Sequence, residues 1–370
     1  MRSMTATAQR LQMNRGTILL VIVCFLIGLE QDHERCAMSM TRRERLAAAF
    51  RGEPVDRPPV ALWRHFPVDD QDPEQLALSV AAFQAQYDWD FVKFTPSSSF
   101  CVEDWGCRVA YRGHPEGTSD YVARPVNAPA DWRRIEPLDP RAGALGAHLV
   151  AVRRARDLID PDVPLLATVF SPISQAKNLI GNGMDIVHLR RHRSDLLHAL
   201  EAITETTIRF VEAVLDAGAD GIFYAMQRCT ADVISEAEYR EVCRPLDLRI
   251  LEAAHAASAA RGKPPFILLH LHGVYSYFDI AAEYPAQALN WHDRETGPDL
   301  AEGARRFPGM VVGGLSQRDI VESSPAVVQS LARQAIEAMN GRRVCLSTGC
   351  VMPTTAPWGN IRALRSVVGP

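Results

Sequence analysis

Eight short apolar runs, separated by stretches with helical periodicity, constrain this chain more than any other feature. They are Val60–Trp63, Phe91–Phe94, Leu165–Val169, Gly221–Tyr224, Phe266–His270, Ala288–Trp291, Met310–Gly313 and Arg343–Ser347. The runs are rich in Val, Ile, Leu and Phe and lack apolar–polar alternation. Strands buried on both faces have this pattern, and strands with one wet face do not. Helical periodicity fills the gaps at Thr41–Arg51, Glu74–Tyr87, Leu149–Leu158, Ser194–Ala217, Thr296–Arg306 and Pro325–Met339, and from Ser235 towards Arg261. Leu197, Ile203, Ile208, Val211 and Leu215 form an apolar stripe along the longest of them. Thr41 with Glu44, and Ser235 with Glu238, have the spacing of capping boxes.

Strand–helix alternation repeated eight times predicts an α/β protein, a (β/α)8 TIM barrel formed as one domain over residues 41–370. A core of that size needs no disulfide staples. Arg108–Tyr111 and Tyr121–Ala123 flank Gly113-His-Pro-Glu-Gly117 and predict a β-hairpin insertion after strand two.

Forty basic residues stand against 44 acidic ones, a formal net charge of −4, with no long basic run. Nucleic acid is therefore not an expected partner. The eight cysteines are dispersed and form no CxxC pair, so they read as reduced thiols of a cytoplasmic protein. Ile18–Leu29 is strongly apolar and follows Arg2, Arg10 and Arg15, like the core of a signal peptide. It is shorter than the roughly 20 apolar residues that cross a bilayer, and no A-x-A-like cleavage site follows it. Residues 1–40 read better as an over-extended gene start, with translation beginning at Met38 or Met40, and no membrane partner is expected.

In a barrel, chemistry gathers on the loops that follow each strand. Those positions hold Arg64 and His65, Ser97, Ser171, Gln227, His270 and His272, Trp291 with His292 and Asp293, and Cys350. Four of the eleven histidines fall on this one predicted face. His270 and His272 stand two apart on a strand and so point to the same side. With Cys350 they would make a three-ligand, open zinc site, or else two histidines satisfied by hydrogen bonds beneath a substrate. Arg64 suits an anionic substrate group, or a salt bridge to Asp69, Asp70 or Asp293. His65, beside this substrate-binding arginine, is a catalytic candidate. His292 and Asp293 read as a base with an acidic neighbour, or as a loop-fixing ion pair. Ser97, Ser171, Gln227 and Trp291 are expected around the substrate, Trp291 as wall. All of this assumes a small-molecule substrate.

Several segments, in order, resemble the uroporphyrinogen decarboxylase superfamily. They are Thr41-Arg-Arg-Glu-Arg-Leu46, Asp56-Arg-Pro-Pro-Val60, Glu103-Asp-Trp-Gly106, Ala217-Gly-Ala-Asp-Gly-Ile222, Val312-Gly-Gly-Leu315, and Thr348-Gly-Cys-Val-Met-Pro353 with Asn360. The resemblance runs from about Thr41 to Val368 and implies a decarboxylase or a zinc-dependent, corrinoid-linked methyltransferase. True decarboxylases carry two arginines, an aspartate, a tyrosine and a histidine. The matching positions here hold Arg64, Val68, Ser97, Asn178 and Cys350. The methyltransferase branch carries His-x-Cys and a later Cys as zinc ligands, and His270, His272 and Cys350 stand there. The resemblance thus implies a zinc-dependent, methyltransferase-like enzyme acting on a thiol or a corrinoid-bound methyl group, the corrinoid being carried by a partner protein. Metal-free porphyrinogen decarboxylation and non-catalytic tetrapyrrole or corrinoid binding are the alternatives. A homodimer is expected by analogy.

Overall fold

The computed structural model describes residues 40–181 and 183–369. The expectation for residues 1–40 therefore lies outside the described residues, Met40 excepted, as do Cys24 and Cys36. The strands are β1 (Val92–Phe94), β2 (Arg108–Ala110), β3 (Asp120–Ala123), β4 (Leu165–Phe170), β5 (Gly221–Met226), β6 (Phe266–Leu271), β7 (Ala288–Asn290), β8 (Met310–Leu315) and β9 (Val344–Thr348). Seven of them form one parallel sheet in the order β1-β4-β5-β6-β7-β8-β9. Helices connect successive strands, among them Gly143–Leu158, Arg193–Asp216, Arg244–Ala260, Leu300–Arg306 and Pro325–Ala338. Strands covered by helices in this way are buried throughout, which is why their sequences are continuous apolar runs.

The first predicted run, Val60–Trp63, is not a full strand. It contributes a single parallel bridge, Val60 to Leu346. Leu346 N donates to Pro59 O at 2.9 Å, and Ala61 N donates to Leu346 O at 3.0 Å. On the other side Asp90 N donates to Val60 O at 3.0 Å. Pro58 and Pro59 have no N–H to give a ladder, and the Val60 N–H goes to the Asp90 carboxylate at 2.8 Å. The eighth position around the sheet is thus taken by a segment with a few backbone bonds to each side, its Val60 N–H held by a carboxylate in place of a ladder partner. Asp90 also accepts from Arg45 at 2.6 Å and from Arg57 at 2.7 Å, with its own side chain fully buried.

β2 and β3 pair antiparallel as a separate two-stranded sheet. The segment between them folds back over the rim of the main sheet. A Cβ on Gly117, whose φ is +81°, would lie 2.6 Å from His65 Cβ, so only glycine permits this close approach. Thr354 N donates to Pro115 O at 2.7 Å and pins the same segment.

Two helices after β4, Pro172–Ile180 and Met184–Arg191, are absent from the sequence-based expectation. The first starts with Pro172 directly after Ser171, a favoured helix opening, but each is too short for a clear periodic signal. Among the described residues no helix is long and apolar enough to cross a membrane. Six described cysteines are free and buried.

Candidate metal centre

All strands of the main sheet run the same way, so their C-terminal ends share one rim. His270 lies inside β6 and His272 just past its end, separated by the two-residue period that turns both to one side. Cys350 arrives from the turn after β9. Its Sγ is 3.5 Å from His270 Nε2 and 3.5 Å from His272 Nδ1. His292, two residues past β7, completes the group. One ligand atom from each of His270, His272, His292 and Cys350 lies within 4.8 Å of all the others. A Cβ on Gly349 would lie 2.8 Å from His292 Cα and 2.9 Å from Trp291 O. The missing side chain therefore lets the Cys350 turn close on the His292 backbone.

The partners of the imidazoles orient them. His270 Nδ1 is 2.7 Å from Asn290 Oδ1. The Asn290 amide nitrogen donates to Val312 O at 2.8 Å and to Thr348 O at 3.1 Å, which fixes which end of the amide faces the histidine. His270 Nδ1 must then be the donor, leaving Nε2 with its lone pair towards the thiol. His292 Nδ1 is 2.8 Å from Glu295 Oε2, and its buried Nε2 has no hydrogen-bond partner. Leaving a buried polar atom unmet costs about 1–3 kcal/mol, and metal-binding histidines typically give their second nitrogen to a carboxylate or amide in this manner. Burial would raise the Cys350 thiol, but the facing His270 and His272 more than offset this and hold it well below its ordinary value. Burial would lower His292, but Cys350 and Glu295 lift it to about 10. One soft thiol and three imidazoles form a donor set suited to zinc or a related transition metal.

A cavity of about 90 Å3 opens beside the cluster. Trp63, Phe170 and Phe223 supply its apolar wall, and His65, Lys93, Thr168 and Gln227 its polar groups. The Phe223 ring stacks on His270 with centroids 5.2 Å apart. His65 gives Nδ1 to Pro96 O at 3.0 Å, and burial, reinforced by Lys93, pushes it down to about 3, so it is neutral near pH 7.

Besides His292, which stands in the cluster, five sequence candidates lie off this cavity wall. Arg64 bonds the His65 carbonyl and lies over the Phe66 ring. Ser97 bonds Ser99 and faces a different hollow, beside Phe100 and His148. Ser171 bonds Ser174 and opens the helix Pro172–Ile180. Trp291 is fully buried, donates to Pro298 O at 2.8 Å and packs against Phe278 and the helix Leu300–Arg306. Asp293 accepts from Gly314 N through both oxygens at 3.2 Å, in space that only glycine at 313 leaves open. Burial raises its carboxyl to about 7.

Among the site residues that reading the sequence alone misses are Lys93, Asn290 and Glu295. Lys93 carries a signal, being the one charged residue inside the run Phe91–Phe94. Asn290 carries a weaker one, as the polar residue of Ala288–Trp291, and Glu295 stands three residues after His292. Replacing Asn290 by alanine should free the His270 ring and weaken metal binding by about 10- to 100-fold. Competition with a chromophoric chelator measures this, and an unchanged affinity would mean that the amide does not orient the ligand.

Residues 41–369 match the model of the uroporphyrinogen decarboxylase (URO-D) family. The chain is 24% identical over 345 residues to the methylcobamide:CoM methyltransferase MtaA of Methanosarcina barkeri, covering 88% of this chain and 96% of that protein. It is 28% identical over 282 residues to the uroporphyrinogen decarboxylase of Mycolicibacterium paratuberculosis, covering 68% of this chain and 71% of the relative. Among solved structures, a methyltransferase from Methanosarcina mazei superposes with a TM-score of 0.73 at 20% identity, over 89% of this chain and 98% of that one, a likeness of fold.

Proposed function

The chain belongs to the uroporphyrinogen decarboxylase family, and from that premise we propose that it is a zinc-dependent, methyltransferase-like enzyme that takes a small thiol as acceptor and a corrinoid-borne methyl group as donor. The observation that carries this reading is the convergence of His270, His272, His292 and Cys350 within 4.8 Å, with an unmet buried nitrogen on His292. Three of these four at a time would hold the metal, since a catalytic zinc keeps a position for the substrate. Bound zinc lowers the pKa of a thiol and presents it as a thiolate.

The chain's own groups account for the rest. Asn290 and Glu295 set the histidine orientations. Trp63, Phe170 and Phe223 give the cavity beside the cluster an apolar wall. Neutral His65 gives Nδ1–H to Pro96 O and keeps on its other nitrogen a lone pair that accepts a hydrogen bond without bringing charge into the cavity. Imidazoles with one thiolate make a less anionic ligand set than one with two thiolates, so the metal would acidify a thiol more strongly and leave the thiolate less nucleophilic. A cavity of about 90 Å3 is well below the roughly 300–1,000 Å3 of pockets for drug-sized ligands. That supports a small acceptor over an enclosed tetrapyrrole, and it speaks against the decarboxylase reading. So do Val68, Asn178 and Cys350, which replace the arginine, tyrosine and histidine of true decarboxylases.

Elemental analysis of the purified protein, after a weak chelator has removed loose metal, should find about one zinc per chain. The loaded protein should then alkylate a small thiol with methylcobalamin. Absence of tightly held metal would overturn this reading, and release of carbon dioxide from a porphyrinogen by metal-free protein would replace it.

A further inference from the structure

Lys93 lies on β1, buried, with its ammonium in the cavity beside the cluster. Its nitrogen donates to Thr95 Oγ1 at 3.2 Å and sits 4.8 Å from the centre of the Phe223 ring. An ammonium has three donors, so the threonine leaves two, and no carboxylate among the described residues pairs with them. Burial lowers Lys93 to about 7, against a smaller opposing pull from Cys350, so a further group of negative sign in the cavity would favour the ammonium. Gln227 lines the same cavity, and its Oε1 accepts from Lys177 Nζ at 3.0 Å. Lysine offers no acceptor, so this bond fixes the amide and turns its NH2 end away from Lys177. Glu116, the one carboxylate on the wall, is engaged by Gln317 at 3.0 Å.

We propose that Lys93, with Gln227, binds the acid group of a compact anionic substrate whose other end lies at the His–Cys cluster. The anion is thus read by a lysine inside a strand and not by Arg64 in the loop. A carboxylate and a sulfonate share this chemistry. The inference rests on the methyl-transfer reading only for what the far end of the substrate is.

The test uses zinc-loaded full-length protein and three thiols of equal length ending in carboxylate, sulfonate or hydroxyl, with binding measured by calorimetry. Wild type should bind one or both acid-ended thiols about 10- to 100-fold more tightly than the alcohol, as a charge-assisted hydrogen bond implies. Lys93→Met should bring the acids down to the level of the alcohol, leave the alcohol unchanged, and melt no lower than wild type, because it removes a buried charge. Lys93→Arg should keep the preference. Equal affinities in wild type, or a preference that survives Lys93→Met, would overturn the proposal. So would failure of every acid to bind. Should Lys93→Met fail to fold, Lys93→Gln decides on the same criteria. Propionate, ethanesulfonate and 1-propanol serve as thiol-free probes. A Lys93-dependent preference among them, without binding of any thiol to the zinc, upholds the anion site and refutes the thiol reading.

Discussion

Changing Cys350 to alanine should lower zinc affinity by more than about 100-fold, beyond the 10- to 100-fold typical of losing a residue that merely orients a ligand. Cys350 is the sole thiol of the cluster and the sole group there that carries negative charge when it binds a metal. Its Sγ touches His270 Nε2 and His272 Nδ1, each at 3.5 Å, so the substitution removes the point where the two imidazoles converge. Little of the core is lost with it, and the melting temperature of the metal-free protein should stay within a few degrees of wild type. Elemental analysis and chelator competition on purified protein measure the affinity. Cys345→Ala is unsuited as a control, because Cys345 lies inside β9 and is fully buried. Cys229→Ala, equally buried but in the loop after β5, where no strand is disturbed and where the thiol bonds Tyr277 O and not the cluster, serves instead and should keep its zinc. A Cys350→Ala protein that retained full zinc would show that the cluster is not the metal centre.

Replacing Asp90 by alanine should destabilise the fold by about 3–5 kcal/mol, the range for removing one partner of a buried ion pair. The carboxylate is fully buried, lies between the Arg45 and Arg57 guanidinium groups, and accepts the Val60 N–H. Alanine would leave the Val60 donor unmet and take the shared counter-charge from between the two arginines. It would also release the segment that stands in for an eighth strand. Denaturant unfolding, with the midpoint compared at constant slope, reads the effect. Glu74→Ala, whose exposed carboxylate pairs with Arg154 at the surface, should change stability by less than about 1 kcal/mol. If Asp90→Ala were no worse than Glu74→Ala, the closure of the sheet would not depend on this residue.

How much of the molecule is legible in its sequence depends on what each residue type reveals on its own. Buried parallel strands announce themselves by unbroken apolar runs, and seven of the eight runs overlap strands of the main sheet. Val60–Trp63 misleads because its apolar residues are buried as expected, while the two prolines before it lack N–H groups and the Val60 N–H goes to the Asp90 carboxylate, which leaves one bridge in place of a strand. Rim position is equally legible, which is why His270, His272, His292 and Cys350 all stand out in the sequence and all meet in the structure. Which way a rim side chain turns is not. Trp291 and Asp293 flank His292 in sequence, yet one packs outward against a helix and the other fills the space over Gly313. Lys93 is hidden for the opposite reason: it lies in a strand and not in a loop, so a search confined to loops passes over it.

Asn290 does more than orient one histidine. Its single side chain joins β6, β8 and the end of β9, through His270, Val312 O and Thr348 O. The strands that carry the donor atoms are therefore tied to one another by the sheet and by this one side chain. In small zinc domains, binding and folding are one event, and chelation unfolds the chain. Here the conformational entropy of gathering the ligands is lost during folding, so an ion entering the finished centre has little left to order. Loading and unloading should be reversible exchanges on a folded protein, and cobalt or cadmium should be able to replace zinc in place without the chain ever leaving its native state.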